Sequence, residues 1–259
     1  MLSQLLKKSD WAFLLDFVSP AFFKVIPPLE LINNATSLAK RSQDRRLYQN
    51  SLATFSNRAA QMFPCLRTIE GQMQRRGFEI ESFTNSSTTL EARQNLANLI
   101  VELYFAQLYS KESFFLDVRL SRFAIEDEDI LWSPAPLLGV FSNEFSESMC
   151  SLYEGYYNNK HDQMKSALKA LNLDWAYDVF VHHFGEGDQT SVSFSMVHFV
   201  HTFHEIFMRC KAEKKSLHGE FVQLGVVLGL MYESLESIGL PVDVRSAFFR
   251  ISKLSQGED

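Results

Sequence analysis

Apolar residues recur at spacings of three and four along most of this chain, the mark of helices that bury one face. The first such stretch spans 3–18 and ends at Ser19-Pro20. After Pro27-Pro28 a polar helix is expected over 29–62, stopping near Pro64, and another over 65–77 with Gly77 as its end. Phe78 to Ser87 reads as a turn-rich bridge. Thr88-Thr89-Leu90-Glu91 forms a capping box for a helix reaching Tyr109, with Leu96, Leu99, Ile100, Leu103 and Leu108 as its stripe. The period then changes to alternation around Phe115–Ser121, and an acidic turn, Glu126–Asp129, precedes Ile130-Leu131-Trp132. This predicts one small β-hairpin near residues 114–132.

Helical patterning resumes at Ser142, a cap for 143–157, followed by helices over 162–171 and 175–184. Over 192–213, Met196, Val200, Phe203, Phe207 and Cys210 fall on one face. Ser216 is placed to cap a long helix from Leu217 to Ile238, which Gly239-Leu240-Pro241 ends. The predicted fold is mainly α: a multi-helix bundle with one small hairpin, read as an N-terminal helical region (1–85) and a C-terminal helical bundle (86–259), with one continuous domain as the alternative.

Composition sharpens this picture. Among 259 residues there are 23 Phe, enough for an aromatic-filled interior or a greasy binding face. Eleven Gly and seven Pro leave few tight turns for a many-stranded sandwich or barrel. The net charge of −6, with the excess acid after residue 93, excludes nucleic acid as the expected partner. Its one basic run, Lys40, Arg41, Arg45 and Arg46, reads as a solvated helix face. Cys65, Cys150 and Cys210 are widely spaced without a CxxC pair, which fits free thiols and a cytoplasmic setting. No transmembrane segment is expected, because charges interrupt every apolar run before eighteen residues. The stretch Trp11–Phe23, behind Lys7 and Lys8, reads as a docked core helix, with peripheral membrane contact as the alternative.

Candidate chemistry centres on histidine. Six of the seven His lie between 182 and 218. On the 192–213 helix, His198, His201 and Glu205 share the face opposite the apolar stripe, and His201 and Glu205 are four apart, as two ligands of one ion would be. With His218 they form the candidate metal set, for Zn or Fe. No nucleophile elbow, Walker loop, HExxH or EF-hand loop is present. Asp117 and Glu112 read as surface charges, and Tyr153, Tyr156 and Tyr157 as packing residues.

Two resemblances follow. His201-Thr-Phe, then Leu217-His218-Gly219-Glu220, resembles the metal helices of dehydroquinate synthase and polyol dehydrogenase enzymes. That resemblance implies metal ligation by His201 and His218. Phe114-Phe115-Leu116-Asp117, the hairpin and Leu138-Gly139 before Ser142 are similar in order to the catalytic and metal loops of ubiquinone-biosynthesis-type atypical kinases. The helices that follow resemble that family's helical lobe. The resemblance puts Asp117 at a catalytic position, Arg122 where the family has an asparagine, and Pro134 at about the metal-binding aspartate. A degenerate, catalytically dead relative is thereby implied. The expected function is a non-catalytic binding or regulatory protein, without a cofactor, engaging a partner protein through Phe-rich helix faces. The alternative is a metal-dependent enzyme built on the histidines.

Overall fold

The computed structural model describes residues 28–71, 89–110, 112–126, 129–184 and 187–256. The expected helix over 3–18 and the bridge over 78–87 lie outside them. Helices α1 (Pro28–Gln43) and α2 (Arg45–Met62) replace the single helix expected over 29–62. The break falls at Asp44, whose side chain accepts a hydrogen bond from the Leu47 backbone N–H (3.0 Å) and caps α2. No helix begins at residue 65. Leu66–Thr68 is instead a strand, β1, because a parallel partner supplies hydrogen bonds that local propensity does not anticipate.

Helix α3 (Leu90–Ser110) starts at the expected place but one residue out of the expected box: Thr89, not Thr88, is its cap, Thr89 Oγ1 accepting from the Ala92 N–H (3.1 Å). Eleven of its residues are buried, from Leu96 through Leu108, and they point in every direction around its axis. A helix apolar on all sides has to run through the interior. Packing bears this out: α3 touches β2 (Ser113–Phe115), α4 (Asn143–Tyr157), α8 (Phe221–Ile238) and α9 (Val244–Gln256). Its buried amide, Gln107, is satisfied by the backbone of Phe115, accepting from its N–H (2.7 Å) and donating to its carbonyl (3.3 Å).

The strand region is richer than one hairpin. β3 (Phe123–Glu126) and β4 (Asp129–Trp132) form the antiparallel hairpin, with Phe123 opposite Trp132. β1 joins β4 in parallel, giving the order β1-β4-β3. Ser113–Phe115 is not a hairpin arm; it pairs with β5 (Leu138–Val140) in a separate two-stranded sheet. Phe55, Phe115, Phe123 and Trp132 pack as edge-on and stacked rings where the sheets meet α2.

Beyond β5 come α4, α5 (His161–Ala170), α6 (Tyr177–Phe184), α7 (Met196–Ala212), α8 and α9. Ser142 caps α4 as expected. Ser216 does not cap α8, which begins four residues beyond the expected start, at Phe221, behind Glu220. Helix α9 was not anticipated; Asp243 opens it by accepting from the Ser246 N–H (2.9 Å). The buried face of α7 is also turned by about one residue from the expected stripe: Val200 is exposed, while Phe199, Thr202 and Ile206 join Phe207 and Cys210 inside. Its neighbour explains the turn, since the Phe199 ring lies 4.9 Å from that of Tyr232 on α8. Buried residues from α1 and α2 belong to the same hydrophobic cluster as buried residues from α3, α4, α5, α7, α8 and α9. Among the described residues α8 is the one helix long and apolar enough to cross a membrane, and 67% of it is buried inside the protein.

The α4–α5 contact depends on Gly155. A Cβ there would lie 2.7 Å from the Met164 backbone nitrogen, which cannot swing away as a side-chain tip could. Helix propensity favours Ala over Gly by about 1 kcal/mol, whereas overpacking costs about 1–3 kcal/mol. Gly155→Ala is therefore expected to lower stability by about 0–2 kcal/mol net. Urea unfolding measures it, and a midpoint above wild type would refute the close approach.

Candidate functional site

Between α3, α4, α7 and α8 the core opens into a cavity of about 370 Å³, within the usual range of small-molecule sites. Helix α4 carries Tyr153, Tyr156 and Tyr157 into it, the i, i+3, i+4 spacing that keeps side chains on one face. Helix α3 adds Tyr104 and Phe105, α7 adds Phe199, Thr202 and Phe203, and α8 adds Leu228, Met231 and Tyr232. Gln189, Ser191, Ser193 and His198 line it as well and are exposed, so they mark its mouth. No Asp, Glu, Lys or Arg is among the lining residues.

The walls are rigid because rings lock one another. Phe199 and Phe203 lie 4.5 Å apart, Phe194 and Tyr232 are edge-on at 4.8 Å, and Tyr153 and Tyr157 are stacked at 6.2 Å. The Tyr104 and Tyr153 hydroxyls share a hydrogen bond of 2.8 Å. Burial pushes both phenols up, Tyr153 to about 12, and does the same for Tyr156, also to about 12. All stay neutral at any physiological pH. The segment entering the mouth passes so close to the Tyr156 carbonyl that Gly187, at φ 79°, has no room for a Cβ. Val192 then pairs with Val242 through two backbone hydrogen bonds, which anchors the mouth to the start of α9.

The residues singled out from sequence are distributed differently. His198, His201 and His204 are exposed on α7 and Glu205 is half-buried. His218 precedes α8, its ring stacked over Phe145 at 5.8 Å and its Nδ1 3.4 Å from the Glu220 carboxylate. That carboxylate in turn accepts from the Ser142 N–H and hydroxyl at the start of α4. Among the described residues, no group of three or more His, Cys, Asp or Glu side chains is placed to hold a metal ion. Of this set, His198 alone reaches the cavity.

Asp117 is not a surface charge. It is fully buried, and its carboxylate is closed off by two guanidinium groups. Arg119 donates to both oxygens (2.7 and 2.8 Å) and Arg122 donates to one (2.8 Å). Burial by itself would raise the Asp117 carboxyl; hydrogen bonds and charge from Arg119, with the charge of Arg122, outweigh it and hold the group below its ordinary value. Glu233 on α8, nearby, is pushed up by burial and by the charge of Asp117, against the opposing pull of Arg119. At the position matched to a metal-binding aspartate, the Pro134 carbonyl accepts the Tyr48 hydroxyl (2.9 Å). The phenylalanines expected on open helix faces are interior: every Phe whose side chain is described is buried or half-buried. The sequence signal for the cavity was the tyrosine spacing on α4 set against aromatic residues on α7, read there as packing.

The chain matches no family model and no curated protein sequence.

Breaking a buried ion pair by removing one partner costs about 3–5 kcal/mol. Because both arginines are partly solvated, Asp117→Asn is expected near the lower end, about 3 kcal/mol, in urea unfolding at neutral pH. A depressed carboxyl stabilises the fold above its unfolded value, and that contribution disappears as pH falls through the folded one. The gap between variant and wild type should thus close below the ordinary carboxylate range. A gap that is constant with pH would refute the ionised pair.

Proposed function

We propose that this chain is a non-catalytic helical binding protein whose ligand is a small, largely apolar molecule held between α3, α4, α7 and α8. The observation that carries the reading is the ring-walled cavity of about 370 Å³ with polar groups gathered at its mouth. Chemistry supports it too. The lining offers no carboxylate or ammonium to act as acid, base or nucleophile, and its phenols are held neutral. The hydrophobic contact area of such a cavity favours apolar ligands without any covalent step.

A second reading, engagement of a partner protein, draws on one observation. Val197 (79% exposed), Val200 and Met208 lie outward on α7 among exposed histidines, a short apolar stripe on the wall of the cavity itself. Contact there would bear directly on the helix that holds Phe199 and Phe203.

The test uses 1-aminoanthracene, a neutral ring probe whose fluorescence rises on leaving water. Saturable one-to-one binding is expected, with a rise in Tm as the probe is added. Leu228→Trp, which fills the cavity from α8, should weaken binding by about tenfold or more while leaving the helical circular dichroism intact. Non-saturable binding, or equal binding by the variant, would sink the reading.

A further inference from the structure

The eight tyrosines fall into two groups. Six have a polar partner for the hydroxyl: Tyr48 the Pro134 carbonyl, Tyr104 and Tyr153 each other, Tyr109 the Ser252 hydroxyl, Tyr177 the His161 ring, and Tyr156 the backbone at Gly187. Tyr157 and Tyr232 have none among the described residues, although Tyr157 is 7% exposed and both line the cavity. Neither hydroxyl oxygen is sealed in the packed interior, where Trp132 Nε1 and one Glu233 oxygen are the buried polar atoms left without a partner among the described residues; both phenols open onto the cavity instead. Here the two occur together on the cavity wall, Tyr157 on α4 and Tyr232 on α8. The space into which they open has room for a partner.

Three further observations limit that partner. The lining lacks any side chain of fixed charge, so a carboxylate, phosphate or ammonium would enter without compensation. Burial pushes both phenols well up, which leaves them as hydrogen donors. Phe194 and Phe199 flank the Tyr232 ring at 4.8 and 4.9 Å, offering ring faces and edges to a flat molecule.

We infer that the cavity selects neutral, ring-bearing molecules with a carbonyl oxygen, which Tyr157 and Tyr232 recognise by donating hydrogen bonds. This rests on the cavity being a ligand site, as proposed above. The hydrocarbon part of the ligand supplies affinity, and the two hydroxyls supply the choice between a ketone and its hydrocarbon analogue. A site built to bond an oxygen discriminates against the molecule lacking it, because its own hydroxyls stay unpaired.

A matched set of probes separates the two claims: fluorene, 9-fluorenone and fluorene-9-carboxylate, each measured by displacement of 1-aminoanthracene from the full chain and by direct calorimetry. With wild type, fluorenone should bind about tenfold more tightly than fluorene, and the carboxylate more weakly than fluorenone. Tyr157→Phe and Tyr232→Phe should each cost fluorenone about three- to tenfold and leave fluorene within about twofold. If fluorene and fluorenone bind alike to wild type, the carbonyl preference is overturned while the cavity reading stands. Recognition by the two hydroxyls is overturned in the same way if both variants still favour the ketone as strongly as wild type does. Tighter binding of the carboxylate would overturn the neutral class. If none of the probes binds at all, the inference falls together with the cavity. The wild-type comparison stands even where a variant fails to fold.

Discussion

A helix buried on every side dictates much of this architecture. Since α3 presents apolar residues all round, each of its faces requires a covering element, and α4, α8, α9 and β2 supply them. Its polar groups then have to be satisfied locally, for the interior offers no water in exchange. Gln107 takes the backbone of Phe115 as its partner, which fixes where the chain turns into β2. Tyr104 takes the Tyr153 hydroxyl, which fixes the rotation of α4 about its axis. Tyr156 and Tyr157 are carried onto the cavity wall by that same rotation.

The cavity itself conflicts with the close packing expected of such a core. At roughly 24 cal/mol per Å³, an empty sealed void of about 370 Å³ would cost about 9 kcal/mol, comparable with the whole stability of a typical domain. Two features of the molecule relieve this. The mouth at Gln189, Ser191, Ser193 and His198 connects the space to solvent, and the walls are ring pairs that hold their shape without support from the centre.

The sequence made the helical class legible because caps and periodicity act locally. Ser142 before α4 and Thr89 before α3 place their helices correctly, since a hydroxyl satisfying a free backbone N–H needs nothing from the rest of the chain. Strand β1 was not legible, because three residues become a strand through a partner some sixty positions away. Helix α9 was hidden behind Pro241 and a short amphipathic pattern. The burial of Asp117 was equally hidden. A carboxylate flanked by arginines two and five residues on looks the same whether solvated or enclosed, and here Leu116 and Val118, themselves fully buried, pull it inside. The tyrosines of α4 were visible by spacing, but spacing cannot tell a packed face from one that borders a void. For the histidines, helical spacing alone does not decide orientation: His201 and His204 face outward on α7, Glu205 is half-buried and His198 borders the cavity.

Buried polar groups in this molecule thus divide by whether the chain completes them. Asp117 is completed by arginines two and five residues on, whereas Glu220 with Ser142, and Gln223 with Val140, Arg41 and Asn34, are completed by residues far apart in sequence. Their effect is to fasten elements together, and removing one member exposes the others to the cost of an unmet charge or dipole. Tyr157 and Tyr232 lack that completion, yet they are held by the same stiff aromatic packing and so cannot turn away to find another partner. A hydroxyl fixed in place beside an open space behaves as half of a contact. Structural economy would favour phenylalanine at both positions, which keeps the ring contacts and removes the unpaired group. The extra oxygen makes physical sense when something other than this chain supplies the acceptor.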